Sequence, residues 1–273
     1  MPLAVTRITT TGGNNDVTVY DHLAPGFDRQ RPLPEGVPGA IRSAVLAELA
    51  ANPRLVDVGC GAGRIGWPFV AAGDAYTAVD LSLGMLRRFA SRELPNPPRL
   101  AQADATRLPF PDAVFDGVLL VQVLSGANHW RDLLQEVRRI LHPGGALFVG
   151  QSMAPDDGID VRMKQRLAEI LDEMNEHPYQ RKSKDDAFGW LERRANLTIR
   201  HVAQWPMSRT PRQFTERHGT GARFSALPRD VQAAAMARLT EWAQVTFGTL
   251  DAPMAEVQCF ELRIYRFHPE ATH

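Results

Sequence analysis

The 273-residue sequence is longer than the commonest single domain, yet one α/β sheet with a helical appendage absorbs that length; with 44% hydrophobic and 23% charged residues a sizeable core forms, which excludes wholesale disorder. Lys plus Arg total 31 and Asp plus Glu total 31, so no net field holds a polyanion, and neither nucleic acid nor an anionic membrane is the expected partner. The two cysteines, Cys60 and Cys259, lack metal spacing, and neither a secretory signal nor an apolar run of membrane-span length is present, so a soluble, cytoplasmic protein without a metal is expected.

In chain order, residues 1–18 have no apolar period and read as a leader; with Tyr20-Asp21-His22 and the Pro-rich stretch to Pro38 they form an N-terminal segment, 1–39, expected to act as a lid. Ala40–Ala51 carries Ile41, Val45, Leu46 and Leu49 on one helical face, and Asn52-Pro53 stops it. Arg54–Val58 is an apolar run suited to a central parallel strand. It empties into Gly59-Cys60-Gly61-Ala62-Gly63, after which a helical segment runs through Val70 to a stop at Gly73.

A second strand, Ala75–Val79, ends on Asp80 and is followed by an amphipathic helix from Leu81. Further strands are expected at Arg99–Gln102, Val114–Val121 and Ala146–Gln151, with a helix from Trp130 to Leu141 before the last. That alternation specifies a doubly wound, mostly parallel sheet over a core at 40–152. In 153–273, residues 158–176 and 184–195 read as helices and Leu197–Trp205 and Glu256–Phe267 as strands; TPRQFTERHG and LPRDVQAAAMARLTEWAQVTFG lie between those strands, so this part completes the sheet and adds a helical cap within one domain.

The glycine bend is the most informative stretch, because glycines without side chains let backbone approach a ligand. Gly61-Ala62-Gly63-Arg64-Ile65-Gly66 also satisfies a dinucleotide fingerprint, a weak signal alone. Against it, Asp57 sits inside the turn region ahead of the first glycine, and read from Gly59 the bulky Arg64 falls where close helix packing needs Gly or Ala. Asp80, closing the second strand, offers a carboxylate to two ribose hydroxyls.

Asp57-Val58-Gly59-Cys60-Gly61-Ala62-Gly63 resembles the first motif of class I S-adenosylmethionine-dependent methyltransferases. Ala103-Asp104-Ala105 with Leu108–Asp112 and Phe115-Asp116 resembles the family's adenine-binding segment, and Val121-Gln122-Val123-Leu124 the floor beside the sulfonium. Arg138-Arg139-Ile140-Leu141-His142-Pro143-Gly144-Gly145 resembles its turn before the fifth strand, with His142 in place of Lys. Tyr20-Asp21 resembles the cofactor-covering segment of the ubiquinone and menaquinone biosynthesis type.

The resemblance implies a Rossmann-like, seven-stranded sheet whose last strand is antiparallel. It also implies S-adenosyl-L-methionine as cofactor, S-adenosyl-L-homocysteine as product, and a cofactor site of Tyr20, Asp57, Gly59, Cys60, Gly61, Gly63, Asp80, Leu81, Met85, Asp104, Ala105, Val121 and Gln122. In-line methyl transfer needs alignment and a dry pocket more than a metal, and a base only where the acceptor must lose a proton. His129, a few residues past the fourth strand on the ligand-binding rim, is the first candidate, with helix entry beside Trp130 as its plainer role. His218 reads as solvated surface, with reach to an acceptor as its alternative, Cys60 as a small buried hydrophobe rather than a nucleophile, and Arg181–Lys184 as a solvated face neutralised by Asp185-Asp186, with contact to an acidic substrate as its alternative.

Phe188, Trp190, Trp205, Phe214, Phe224, Trp242 and Phe247 read mostly as core, with a wall for an acceptor as their alternative. The expected activity is methylation of a small apolar or aromatic molecule. An NAD(P)-dependent oxidoreductase and a non-catalytic S-adenosylmethionine-binding protein are the two alternatives.

Overall fold

The computed structural model describes residues 6–7, 33–176, 182–219, 222–225 and 227–269. Helix α1 (Val37–Ala47) starts ahead of the expected Ala40 because Pro38 sits in its first turn, where a missing N–H breaks no intrahelical bond. Strand β2 (Leu55–Val58) is buried at every position, as a strand covered on both faces must be. The bend then occupies 59–66, and helix α2 (Trp67–Ala72) begins only after it, closing on Gly73. Strand β3 (Tyr76–Asp80) leads to helix α3 (Leu83–Ala90), whose cap Ser82 accepts the Met85 N–H at 3.1 Å, and then to β4 (Arg99–Gln102).

After β5 (Phe115–Val121) comes a 3-10 turn at Leu124–Gly126, then helix α4 (Trp130–Ile140). Helix α4 buries Trp130, Leu133, Leu134, Val137 and Ile140, the spacing of one helical face, with Asp132 in its first turn and Arg138 and Arg139 in its last. Strand β6 (Leu141–Met153) starts earlier than the expected Ala146. Phe115 pairs with Leu141 and Gly117 with Ala146, so the His-Pro-Gly-Gly turn is a bulge inside the strand opposite Asp116.

Helix α5 (Ile159–Glu173), helix α6 (Lys182–Glu192) and strand β7 (Ala195–Arg209) follow, then helices α7 (Pro211–Gly219), α8 (Ala222–Ser225) and α9 (Arg229–Phe247), and finally β8 (Met254–Phe267). Strands β2 to β8 are the expected seven, and an additional edge strand, β1 (Thr6–Arg7), pairs parallel to β4. The sheet order is β1-β4-β3-β2-β5-β6-β8-β7, parallel from β1 through β6. The His268 N–H just past β8 donates to the Arg194 carbonyl just before β7 at 2.9 Å, so the last strand runs antiparallel to its neighbour, as expected.

The chain divides into two compact units. The first takes the described residues through 151, with 182–203 and those from 260 onward. Its largest core packs Val56, Val58, Val118, Leu120, Leu147 and Val149 with residues of α4 and α6. The second takes the described residues within 152–181 and 204–259 and has its own core of Ile159, Met163, Leu167, Phe214, Phe224 and Leu239, where α5, α7 and α9 meet.

Candidate active site

Register brings the parallel strands to a common carboxyl edge: Val58 pairs with Val79, Asp80 with Gln102 and Val121 with Gly150. Open α/β sheets bind ligands along that edge. Here β2 turns away, its Gly59 and Cys60 N–H groups donating to the Val79 carbonyl at 2.8 and 3.0 Å. The Asp80 carboxylate ties the bend to β3, accepting the Gly61 N–H at 2.8 Å on one oxygen and the Ser82 N–H at 2.9 Å on the other.

Two glycines of the bend serve different ends. Gly61, at φ +55, would project a Cβ into open space with no atom within 4 Å, which leaves a cradle of bare backbone beside Asp80. Gly63, at φ +77, would drive a Cβ to 2.2 Å from the Phe89 ring, so its missing side chain serves the packing of α3.

Asp57 lies 1% exposed on β2 rather than in the bend, with the Tyr76 hydroxyl donating to Oδ2 at 2.6 Å. Oδ1 is buried with no hydrogen-bond partner among the described residues. Burial raises its pKa to about 7 against the opposing pull of the Tyr76 hydrogen bond, and the nearby Asp80 charge adds to the rise. Cys60 is buried within the bend, and burial first, then the Asp80 and Asp57 charges, push its thiol up, which suits an inert small hydrophobe.

The remaining candidate residues flank the bend. Met85 is buried against Ala62, and Leu81 is exposed where β3 ends. Asp104 accepts both the N–H and the hydroxyl of Thr106 on Oδ1 at 2.8 Å, while Ala105 packs on the core. Val121 ends β5, and Gln122 follows with φ +59, a conformation that non-glycine residues hold only when their surroundings impose it. The Gln122 N–H is tied to the Gly150 carbonyl at 2.9 Å, and its side-chain oxygen accepts from Arg64 at 2.9 Å.

Arg64, which the sequence offers only as an obstacle to a dinucleotide, thus reaches across the edge to Gln122. Arg139 is a second residue whose role sequence leaves hidden. It donates to Glu136, to the carbonyls of Leu108 and Phe110 and to Asp112, pinning the loop that follows Asp104.

His129 is exposed at the N-cap of α4, where its carbonyl accepts the Leu133 N–H; its side chain makes no cap hydrogen bond. His218 belongs to the second unit and is not solvated surface: its ring stacks on Phe214 at 3.8 Å, and burial, aided by the charges of Lys164 and Arg217, lowers its pKa to about 4. Lys184 also departs from a solvated reading, donating to the Gln151 side-chain oxygen at 2.6 Å. Of the aromatics, Phe188, Trp205, Phe214 and Phe224 are buried in the core. Tyr20 lies outside the described residues. Among the described residues no cluster of His, Cys, Asp or Glu suits a metal ion, and no helix is long and apolar enough to cross a membrane.

Residues 56–149, which contain Asp57, the glycine bend, Asp80, Asp104 and Gln122, match the family described as methyltransferase domain. Demethylmenaquinone methyltransferase of Renibacterium salmoninarum is 35% identical over 143 residues, covering 51% of this chain and 60% of that protein. The corresponding protein of Mycolicibacterium gilvum is 33% identical over 112 residues, covering 41% of this chain and 47% of that one. The chain therefore spans about half the length of these curated relatives.

Among solved structures, a putative type II methyltransferase from Anaeromyxobacter dehalogenans is 18% identical, with a TM-score of 0.57 over 85% of this chain and 97% of that one. A putative methyltransferase from Bacillus halodurans is 17% identical, with a TM-score of 0.54 over 86% of this chain and 100% of that one. At such identities the likeness establishes the fold alone, a doubly wound, mostly parallel Rossmann-like sheet.

Proposed function

We propose that this chain, which carries a class I methyltransferase domain, transfers the methyl group of S-adenosylmethionine to a small apolar or aromatic molecule. The observation that carries the reading is the tie between Asp80 and the Gly61 amide, which sets a carboxylate beside an open backbone cradle at one sheet edge. The residues present fit the cofactor. Gly59 to Gly63 would hold its methionine part, and the Asp80 carboxylate its ribose hydroxyls.

Asp104 would take the adenine amino group on the oxygen that Thr106 leaves. Val121 and Gln122 would floor the sulfonium. Bound there, S-adenosylmethionine supplies an electrophilic methyl group whose departing electron pair stays on sulfur, leaving S-adenosylhomocysteine. The chain's part is to align the acceptor and exclude water.

A quinone-type ring is the acceptor class we favour, because the curated relatives are named for demethylmenaquinone. His129 is proposed as the base where the acceptor gives up a proton, supported by its exposed place on the rim after β5. Replacing it with alanine is expected to lower kcat about a hundredfold while the KM for S-adenosylmethionine holds. A cytoplasmic setting is supported by two free cysteines.

Calorimetric titration with S-adenosylmethionine, S-adenosylhomocysteine and NAD in parallel tests the reading. Binding of the first two and not of NAD is expected, and the reverse overturns it. The Asp80→Ala protein should bind S-adenosylhomocysteine more weakly by about 2 kcal/mol, having lost a charge-assisted pair of hydrogen bonds.

A further inference from the structure

The Gln122 amide marks the level at which β5 reaches the reacting edge, and its bond to the Gly150 carbonyl places Gln151 one residue further along the neighbouring strand. Gln151 is half-buried there and shares the sheet face of Leu147 and Val149, the face that α6 covers. Helix α6 in turn packs against the 3-10 turn at Leu124–Gly126, between the strand end and His129.

A connected set of polar side chains occupies this corner. Lys184, on the first turns of α6, donates to Gln151, whose amide nitrogen donates to Glu261 Oε1 at 3.0 Å. Arg263 donates to the same oxygen at 2.8 Å and spans to Glu192 at 3.4 Å. Both cations lie over the ring of Phe188, Arg263 at 4.5 Å and Lys184 at 5.4 Å from its centroid.

The two cations are not served alike. Arg263 has carboxylates on two sides, whereas among the described residues the hydrogen-bond partner of Lys184 is a neutral amide oxygen. An ammonium has three donors, so with respect to the described residues two N–H groups remain. A half-buried cation held by a neutral group bears a desolvation cost that an anionic ligand would offset. Burial, then the Arg263 charge, outweighs the opposing Asp185 and Glu261 charges and holds the Lys184 pKa below the ordinary lysine value.

We infer that Lys184, steadied by Gln151, binds an ionised oxygen of the methyl acceptor, so that the site selects acidic hydroxyls such as those of hydroxyquinones and phenols. The inference rests on the methyl-transfer reading and narrows it. An enol or phenol oxygen carrying negative charge makes the conjugated atoms of the ring nucleophilic, and the cation beside it stabilises that form. The proton leaves the hydroxyl before attack, to His129 or to water; methylation at a ring carbon then leaves a dienone whose ring proton is lost to water or returns to the oxygen, restoring the hydroxyl form. Lys184 keeps its own proton.

The test is calorimetric titration, in the presence of S-adenosylhomocysteine, with a hydroxynaphthoquinone that is ionised at neutral pH and with a methylnaphthoquinone of the same ring size that is neutral. The wild-type protein should favour the anion about tenfold, or about 1.4 kcal/mol, and Lys184→Met should bring the two probes within about twofold. Lys184→Gln, a second neutral variant, guards against a folding defect in the first. Lys184→Arg should retain the preference.

Equal binding of the probes by the wild type, binding of neither, or a preference that survives in both neutral variants would overturn the assignment. S-adenosylhomocysteine binding is read separately in each protein and should be unchanged. Its absence from the wild type overturns the methyl-transfer reading, whereas normal S-adenosylhomocysteine binding without an anion preference overturns the Lys184 assignment alone.

Discussion

Asp57 shows how one buried carboxylate couples the stability of the fold to pH. Its pKa rises from an ordinary 3.8 to about 7, burial being the larger cause. The folded protein therefore holds a proton there that the unfolded chain has released above pH about 4. Stability from this group is complete below the unfolded pKa and is lost as pH rises through the folded one. Asp57→Asn keeps an oxygen for the Tyr76 hydroxyl and cannot ionise. Relative to wild type it should gain about 1 kcal/mol per pH unit between pH about 4 and 7, read from denaturant midpoints across that range. A constant difference at every pH would show that Asp57 titrates normally.

At the scale of elements, the motif before β6 is explained by what Arg139 holds. Its guanidinium binds two backbone carbonyls and two carboxylates, and those hydrogen bonds, first to Glu136 and then to Asp112, keep its pKa above the ordinary arginine value. Glu136 is pulled low, chiefly by Arg139, and its Oε2 also accepts the Leu108 N–H at 2.8 Å. The last turn of α4 thus fixes the loop that presents Asp104 at the sheet edge. Arg139→Ala should cost about 2 kcal/mol by leaving the Leu108 and Phe110 carbonyls without their donor. It should also speed amide hydrogen exchange over residues 104–112 while exchange in β2 and β3 stays slow, a contrast that mass spectrometry resolves.

At the scale of the whole molecule, each of the two units owns a core. Leu239 of α9 is fully buried in the second, among residues of α5 and α7. Leu239→Ala should destabilise that unit by about 2 to 4 kcal/mol through lost burial and an unfilled cavity. Because the described cofactor candidates all lie in the first unit, S-adenosylhomocysteine affinity should hold within about twofold at temperatures where the variant is folded. A parallel loss of affinity would show that the two cores do not act independently.

The sequence by itself determined the strands and helices of the first unit, because a parallel strand buried on both faces needs an unbroken apolar run and a core-facing helix needs its 3.6-residue stripe. It located the edge as well, since Gly59 to Gly63 and Asp80 are punctuation that few other arrangements require. The edges of elements were less legible: Pro38 fits inside α1, and the bulge at His142–Gly145 extends β6, since both depend on partners far along the chain. Only the tertiary structure decided that Asp57 is buried against Tyr76, that Arg64 turns to Gln122 and that Lys184 meets Gln151. Those contacts join residues 19, 58 and 33 positions apart, and no local propensity or period encodes a pairing that chain folding alone brings within hydrogen-bond reach.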